Sequence, residues 1–461
     1  MLSWKCVLIA YSITLLYKVT AYSTIHREVP GFLNRTNLPK RINYQKRNAS
    51  TSTNNGESPW RCHFPALSQS GLIYLDNAAT TQKPYCVIEA ITNYYASPCS
   101  NVHRSQYQLA TAVSNQYEDA RTAIAKFINA PSARNIIFTS GATDSINLVA
   151  NAWGYTHIRP GDTVLVPLSE HNSNILPWKL LEQKNNSNVH FVKLNTDGTL
   201  DLDDYKRQLS TGKVRLISIA HASNVLGVVQ DLKSIIATAH EHGALVLVDA
   251  CQTLAHVNID VQQLNCDFLV ASGHKVYGPT GIGFLYAKQE VIEHMSPYKG
   301  GGGMVKNLDT SGYELEDIPH RFESGTPPVA QAIGLSKALE FISHIGLSNI
   351  ASHERMLLSH LDTQLRNLAT VHSPPIKHEH VPIVTFNIAG QSPYDLAQLL
   401  STRNIAIRAG QHCAHLLHKK YLPSTNSLRV SLGMYNNKQE IDTFIGCIED
   451  CIYTLRSIST R

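Results

Sequence analysis

Short apolar runs alternate with helical patterns through residues 135–271, and this alternation restricts the fold more than any other feature of the sequence. Most of the runs are nearly continuous in apolar side chains, which is typical of strands covered on both faces. The intervening segments have helical periodicity, as in Thr143–Trp153, Leu176–Gln183 and Ile235–His242. The alternation predicts an α/β fold with a mostly parallel sheet. We predict strands at Asn135–Phe138, Thr163–Val166, His190–Lys193, Val214–Ala220, Leu245–Val248 and Phe268–Ala271.

The pattern changes near residue 326 and predicts a smaller α+β domain for the rest of the chain. Three helical patterns and two strand patterns follow, at Ala330–His344, Ile350–Leu368, Ile383–Asn387, Ile405–Ile407 and Lys438–Leu455. A chain of 461 residues has room for two or three domains. We therefore predict a leader over residues 1–60, a large domain over 61–325 and a small C-terminal domain over 326–461.

The net positive charge of the chain lies in its first 60 residues. This segment carries eight Lys or Arg and two Glu, a net charge of +6, whereas the whole chain is +5. The remaining residues therefore carry a net charge of −1. A body without excess positive charge does not have the electrostatic character of a nucleic-acid-binding protein.

The leader divides into an apolar half and a basic half. Lys5 precedes an apolar run over Val7–Tyr17, and Val19–Ala21 is a small-residue cleavage site. The run is short for a membrane span but suits a signal peptide, and residues 22–60 resemble a transit peptide. This combination predicts routing to a plastid of the apicoplast type, with the mitochondrion as the alternative and no membrane segment in the mature form. A signal anchor followed by a flexible stalk is the competing interpretation. Nine scattered cysteines favour a reducing compartment.

Polar or ionisable residues follow five of the predicted strands. Because ligands bind at the carboxyl ends of parallel strands, we expect these residues to share one site. They are Thr139–Asp144, Ser169–Asn172, His221–Asn224, Asp249–Gln252 and Ser272–Gly281.

A lysine in a glycine-flanked loop, beside a strand that ends in aspartate, matches the requirements of pyridoxal phosphate (PLP). Lys275 would hold the cofactor covalently, and Asp249 would face its pyridinium nitrogen. Backbone N–H groups of Gly141–Thr143 would bind the phosphate at a helix start, with Ser272 and His274 in reach. His171 would lie flat on the ring and move protons. Each residue alone is more often structural, and only the combination is informative.

Seven segments, several of them at these strand ends, resemble class V aminotransferase-fold enzymes, which have the fold type I of PLP-dependent transferases. The resemblance runs from about residue 72 to 454. It rests on Tyr74–Ala79, Asn101–Arg104, Glu170–Asn174, Ser223–Gly227, Val248–Gln252, Ser272–Gly281 and Arg321–Pro327. Within that group, Ile407–Ala414 resembles the SUF-type (group II) cysteine desulfurases.

The resemblance implies a role for each matching residue. Lys275, Cys413 and His171 would be catalytic, with Cys413 taking the sulfur of L-cysteine as a persulfide while L-alanine is released. The resemblance also implies a homodimer and a sulfur-acceptor protein that serves iron–sulfur cluster assembly. PLP would contact Asp249, Gln252, His171, Thr143, Ser272, His274 and, across the dimer, Thr326; the substrate would contact Asn224, Arg429 and Arg408.

The sequence departs from the family pattern near the nucleophile and the phosphate loop. Gln411 replaces a common histidine, so an acid–base role there is doubtful, and Ala142 replaces a common hydroxyl residue. Asp144 stands where glutamate is frequent, and the segment after Cys413 is unusually basic. None of these changes removes a group that the chemistry requires.

Three alternative functions stay open at this point. A selenocysteine lyase has the same fold, and another PLP reaction would leave Cys413 as an idle thiol. A non-catalytic scaffold is disfavoured by the intact set of Lys275, Asp249, His171 and Arg429. Because no zinc, P-loop or dinucleotide motif is present, the sequence predicts no metal site. His103 and His412 are weaker site candidates.

Overall fold

The structure is a computed structural model that describes residues 58–68, 70–103, 107–376 and 379–459. The predicted signal peptide and nearly all of the predicted transit segment lie outside the described residues. Within the described part, no helix has the length and apolar character needed to cross a membrane.

A seven-stranded sheet forms the centre of the molecule. One strand runs antiparallel to both of its neighbours, and the other neighbouring pairs are parallel. This confirms the predicted α/β class. From one edge to the other, the strands are Ile136–Thr139, Gly283–Ala287, Phe268–Ser272, Leu245–Asp249, Val214–Ala220, Thr163–Pro167 and Asn188–Val192.

Both faces of this sheet are buried. Successive side chains of a strand point to opposite faces, and in the central strands both sets are buried in hydrophobic clusters. Val246 and Val248 belong to one hydrophobic cluster, whereas Leu247 belongs to another. This explains why the strands are almost continuously apolar in sequence. The helices of eight or more residues in this described part of the chain are Tyr85–Ala96, Gln108–Phe127, Ala142–Val149, Leu176–Asn185, Leu202–Leu209 and Leu232–Glu241.

A second sheet of four antiparallel strands lies in the C-terminal part of the chain. Its order is Thr370–Val371, Ile383–Asn387, Ser427–Ser431 and Arg408–Gly410. The two sheets fall on either side of residue 326, and the division into two domains stays a prediction. The accompanying helices are Val329–Ile345, Leu347–Leu368, Pro393–Ser401, His415–Lys420 and Lys438–Ser459.

The N-terminal end of the described chain is tied to its C-terminal part. Ile73–Tyr74 pairs in parallel with Ile405–Ala406, and Asp76 bridges to Ser431. Ser58 Oγ donates a hydrogen bond to the backbone carbonyl of Met434 over 2.6 Å. A separate hairpin, Val305–Leu308 with Tyr313–Leu315, follows the glycine run at 300–303.

Candidate active site

A cavity of about 230 Å³ lies at the carboxyl ends of the central strands. It forms where the strands Val214–Ala220, Leu245–Asp249 and Phe268–Ser272 end side by side, as the sequence predicts. Ten of the twelve predicted site residues line it. They are Thr143, His171, Asn224, Asp249, Gln252, Ser272, His274, Lys275, Arg408 and Arg429.

His171 is held in a defined state at one wall of the cavity. Burial and, secondly, the positive charge of Lys275 lower its pKa to about 4, so the imidazole is neutral at physiological pH. The backbone N–H of Ser173 donates to Nδ1 over 3.1 Å. The proton of the neutral ring is therefore assigned to Nε2. Asp249 is buried, and its Oδ1 accepts a hydrogen bond from the backbone N–H of Cys251 over 2.9 Å.

The corner around Gly141 is built to receive an anion. Helix Ala142–Val149 begins there, and the N–H of Ala142 donates to Ser272 Oγ over 2.9 Å. Thr143 Oγ1 lies 2.8 Å from Ser173 Oγ. Only glycine fits at position 283 beside this corner, since an added Cβ would lie 2.5 Å from Gly141 Cα. Backbone N–H groups at a helix start, with hydroxyls nearby, are the usual ligands of a phosphate.

Arg429 supplies a buried cation to the wall of the cavity. Its side chain is about 1% exposed, and Nη2 pairs with Asp76 Oδ1 over 2.9 Å. Nη1 donates to the carbonyl of Asn224 over 3.0 Å, whereas Nε has no hydrogen-bond partner among the described residues. A buried N–H group without a partner is costly, which suits a wall that binds a carboxylate. The residues of the cavity therefore fit PLP and an amino-acid substrate.

Cys413 lies beside the cavity on a loop with unusual backbone geometry. His412 and Cys413 both have positive φ, 51° and 57°, a conformation uncommon outside glycine. Cys413 is half-buried, and its Sγ lies 3.8 Å from Nη2 of Arg408. Two consecutive residues with positive φ raise the conformational energy of the loop, and the surrounding contacts must offset this energy.

Contacts with the opposite wall supply that support. The backbone N–H of Asn172 donates to the carbonyl of Cys413 over 2.7 Å, and Asn224 Nδ2 donates to the carbonyl of His412 over 2.8 Å. His412 Nε2 lies 3.0 Å from Ser427 Oγ, and burial lowers the pKa of His412 to about 2. His412 is therefore a neutral, buried support of the loop, and it also lines the cavity.

The loop that contains Lys275, residues 273–281, is here called the lysine loop. It is held by residues to which the sequence analysis gave no role. The carbonyl oxygen of His274 lies within 3.2 Å of Thr80 Oγ1, Thr81 Oγ1, Thr81 N and Lys83 Nζ. Burial lowers the pKa of Lys83 to about 8. Thr81 Oγ1 also accepts from the backbone N–H of Tyr277 over 2.9 Å, so that Lys275 is flanked by two anchored peptides.

The structure also adds Asp76 and leaves Thr326 outside the cavity. Asp76 was part of the segment that carried the family resemblance, yet only its contact with Arg429 reveals its role. Thr326 is exposed and does not line the cavity, so its contact with a partner subunit stays a prediction. Gln252 does line it and donates through Nε2 to the carbonyl of Ala78 over 3.0 Å.

Comparisons with known proteins agree with this geometry. A "Probable cysteine desulfurase" of Synechocystis is 41% identical over 399 residues, which cover 85% of this chain and 94% of that protein. A "Cysteine desulfurase" of Escherichia coli is also 41% identical, over 84% of this chain and 95% of that protein.

Solved structures are similar over the same part of the chain. The crystal structure of an Escherichia coli cysteine desulfurase in an S-sulfonic acid form has a TM-score of 0.80 and 38% identity, covering 86% of this chain and 98% of that one. An apo cysteine desulfurase from Thermococcus onnurineus has a TM-score of 0.83 and 34% identity, with 87% and 99% coverage. The family model described as aminotransferase class-V matches residues 73–444. The chain belongs to the class-V aminotransferase family.

Proposed function

We propose that this protein is a PLP-dependent cysteine desulfurase that converts L-cysteine to L-alanine. The relatives at about 41% identity bear that name. The observation that carries the proposal is the position of Cys413, fixed beside a cavity that contains Lys275, Asp249 and a neutral His171. A transaminase needs no such cysteine.

PLP would be held by Lys275, with Asp249 and Gln252 at the ring and Thr143, Ser272 and His274 at the phosphate corner. When bound, this cofactor supplies an electron sink that labilises bonds at the α-carbon of an amino acid. Lys275 Nζ would act on the α-proton of the substrate. His171 would present its neutral face and its Nε2 proton to the cavity.

Arg429 and Arg408 would bind the substrate carboxylate. Arg429 is positioned by Asp76 and Asn224, which fixes its guanidinium before the substrate arrives. This pre-organisation lowers the entropy that binding costs. Asn224 would complete the carboxylate site, since its side chain lines the same wall.

Cys413 would accept the sulfur as its thiolate, the nucleophilic form of the side chain. A new S–S bond forms between Cys413 Sγ and the substrate sulfur, while the C–S bond of the substrate breaks and its electron pair stays on carbon. Protonation of that carbon gives alanine. The balanced result is L-cysteine plus Cys413–SH going to L-alanine plus Cys413–S–SH.

We further propose that the enzyme is of the SUF type and passes its sulfur to an acceptor protein for iron–sulfur cluster assembly. The support is the sequence of the segment that contains Cys413, Ile407–Ala414, which resembles that subtype. A homodimer is proposed on the same grounds, with Thr326 contributing to the partner's site.

The basic leader supports a proposed location in a plastid. Residues 1–60 carry a net charge of +6 whereas the rest of the chain carries −1, and an apolar run precedes their basic part. Fusing these residues to a fluorescent protein would place the fusion in the plastid, and the same fusion without residues 1–21 would stay outside it. Mitochondrial signal would overturn the proposal.

Replacing Cys413 tests the desulfurase assignment directly. The purified protein with PLP and L-cysteine is expected to form alanine and, with a reductant, equal sulfide. Cys413→Ala is expected to lose both products, because no other described thiol occupies this loop. Cys447→Ala, a change on the distant helix Lys438–Ser459, is the matched control.

Two outcomes would contradict the assignment. A Cys413→Ala protein as active as the parent would show that the loop thiol does not take sulfur. Turnover of L-cysteine without alanine would indicate another PLP reaction. Much faster turnover of L-selenocysteine by both proteins would instead identify a selenocysteine lyase.

A further inference from the structure

Two imidazoles and a carboxylate converge outside the cavity, on three separate elements. One ligand atom from each of His103, Glu118 and His320 lies within 4.8 Å of the other two. His103 Nε2 is 3.6 Å from Glu118 Oε1, and the ring centres of His103 and His320 are 4.9 Å apart. None of these residues lines the cavity described above.

We propose that His103, Glu118 and His320 form a binding site for a divalent first-row transition metal of the zinc class. Two histidines and one glutamate are a common three-ligand set for Zn²⁺, with a further position left for water or another ligand. His103 Nε2 and Glu118 Oε1 are already 3.6 Å apart, close to the roughly 3.3 Å between two ligands that lie about 2.0–2.1 Å from a tetrahedral Zn²⁺.

The backbone of His103 is held in the left-handed region beside the other two ligands. Its φ is 71°, a conformation in which histidine, asparagine and aspartate are enriched among residues other than glycine. Its N–H donates to Ser114 Oγ over 2.8 Å. Ser114 lies one turn before Glu118 on helix Gln108–Phe127, so the same helix face holds the backbone of one ligand and supplies another.

The carboxylate ligand has an outer-shell partner, as metal ligands usually do. Arg121 donates to both oxygens of Glu118, over 2.9 and 3.2 Å, and it is buried. Glu323 in turn pairs with Arg121 over 2.6 Å. Two carboxylates and one guanidinium leave one excess negative charge, which favours a cation at the imidazoles.

Solvent reaches the site, which gives an ion a path to it. The side chains of His103 and Glu118 are 37% and 38% exposed. A bound ion would link the loop before residue 104 to the turn His320–Phe322, which leads into Glu323. The ligands are 15 and 202 residues apart in sequence, so no metal motif is visible and the sequence analysis predicted none.

Zinc binding to four purified proteins tests the proposal, with Zn²⁺ alone as the probe. The parent is compared with His103→Asn, His320→Asn and a control, His190→Asn, whose exposed side chain lies on strand Asn188–Val192. Asparagine tolerates positive φ, so His103→Asn keeps the loop conformation. Equilibrium dialysis of the PLP-loaded proteins gives the number of zinc ions and their affinity.

The parent and the control are expected to bind one zinc per chain more than either site variant. Any residual affinity is expected to fall at least the roughly 10–100-fold that loss of an outer-shell partner costs. Thiols such as Cys413 are present in all four proteins and contribute equally. Identical stoichiometry and affinity in the parent and both site variants would overturn the proposal.

A second measurement uses the unaltered protein and does not depend on how the variants fold. Diethyl pyrocarbonate modifies accessible imidazoles, and peptide mass analysis locates the modified residues. Zinc is expected to protect His103 and His320 together, while His190 stays equally reactive. Unchanged modification of both residues at saturating zinc would also refute the site.

Discussion

Single residues decide how the lysine loop of this molecule is held. Lys83 Nζ contacts the carbonyl of His274 and Thr80 Oγ1, and it also donates to the carbonyl of Thr81. A buried ammonium among these acceptors fixes the peptide next to Lys275. With this peptide fixed, the position of Lys275 Nζ depends only on the side-chain torsions of Lys275.

Lys83→Met is therefore expected to weaken cofactor binding. Hydrogen bonds to charged groups contribute about 1.5–3 kcal/mol each, so the loss corresponds to a roughly 10–100-fold rise in the dissociation constant of PLP. Lys83→Arg is expected to recover part of the affinity. The absorbance of the lysine-bound cofactor, titrated with PLP, gives the constant.

Lys337→Met is the control, because Lys337 forms an exposed ion pair with Glu340 on a helix far along the chain. The interpretation fails if Lys83→Met binds PLP as tightly as this control. A positioning role also predicts that Lys83→Met changes the absorbance maximum of the bound cofactor, together with the pH at the midpoint of its spectral titration. A merely structural lysine would lower stability without changing that spectrum.

The sequence predicted the residues that we propose for the chemistry, and the structure brings most of them to one cavity, whereas the sequence did not predict the residues that hold them in place. Asp249 ends a strand, and Lys275 and His171 follow strand ends by three and four residues, at the edge where ligands of a parallel sheet bind. Lys83 and Asp76 lie 191 and 353 residues from their partners, and nothing in local periodicity connects them. Their roles follow only from the folded chain.

At the scale of elements, apolar patterning located the parallel strands closely. Val214–Ala220 and Ile383–Asn387 have the bounds that the sequence predicts, and the other predicted strands shift by one or two residues. The antiparallel strand Gly283–Ala287 was missed, although it lies inside the sheet. A short apolar run does not show whether a strand is parallel or antiparallel to its neighbours. This run also comes shortly after the segment Ser272–Gly281, which the sequence analysis assigned to the cofactor site.

That strand also constrains the phosphate corner, which gives a prediction for Gly283→Ala. The added Cβ would lie 2.5 Å from both Ala271 O and Gly141 Cα, and backbone atoms cannot rotate away. We expect a loss of about 1–3 kcal/mol in the free energy of unfolding, the usual cost of overpacking. Weaker PLP binding is expected as well.

Denaturant unfolding measures the first effect and PLP titration the second. Gly300→Ala is the matched control, because an added Cβ there meets nothing within 4 Å. Its free energy of unfolding is expected to stay within about 0.5 kcal/mol of the parent value. A Gly283→Ala protein as stable as Gly300→Ala would show that the strand and the corner can separate freely.

For the whole molecule, buried histidines set the response to acid. Burial lowers the pKa of His221 to about 4, and the pKa values of His171, His274 and His412 are lowered as well. Between pH 4 and the ordinary value of 6.5, the unfolded chain binds protons that the folded chain excludes. Stability therefore falls as the pH falls through this window.

His221→Asn is expected to flatten this acid dependence. Each such histidine contributes a slope of up to about 1.4 kcal/mol per pH unit within the window. Urea unfolding at pH 7.5, 6.0 and 5.0 would show the variant losing less stability than the parent. The control is His190→Asn, whose curve is expected to parallel the parent curve. Parallel curves for all three proteins would contradict the effect.

The pairing of Asp76 with Arg429 has a consequence for the time at which the enzyme becomes competent. These residues are 353 positions apart, and the guanidinium of Arg429 lines the cavity. At 5–20 residues per second, a ribosome adds Arg429 roughly 20–70 s after Asp76. Lys275, Asp249 and His171 are all added within that interval. A nascent chain thus carries the residues proposed to hold PLP well before it carries Arg429, the proposed ligand of the substrate carboxylate.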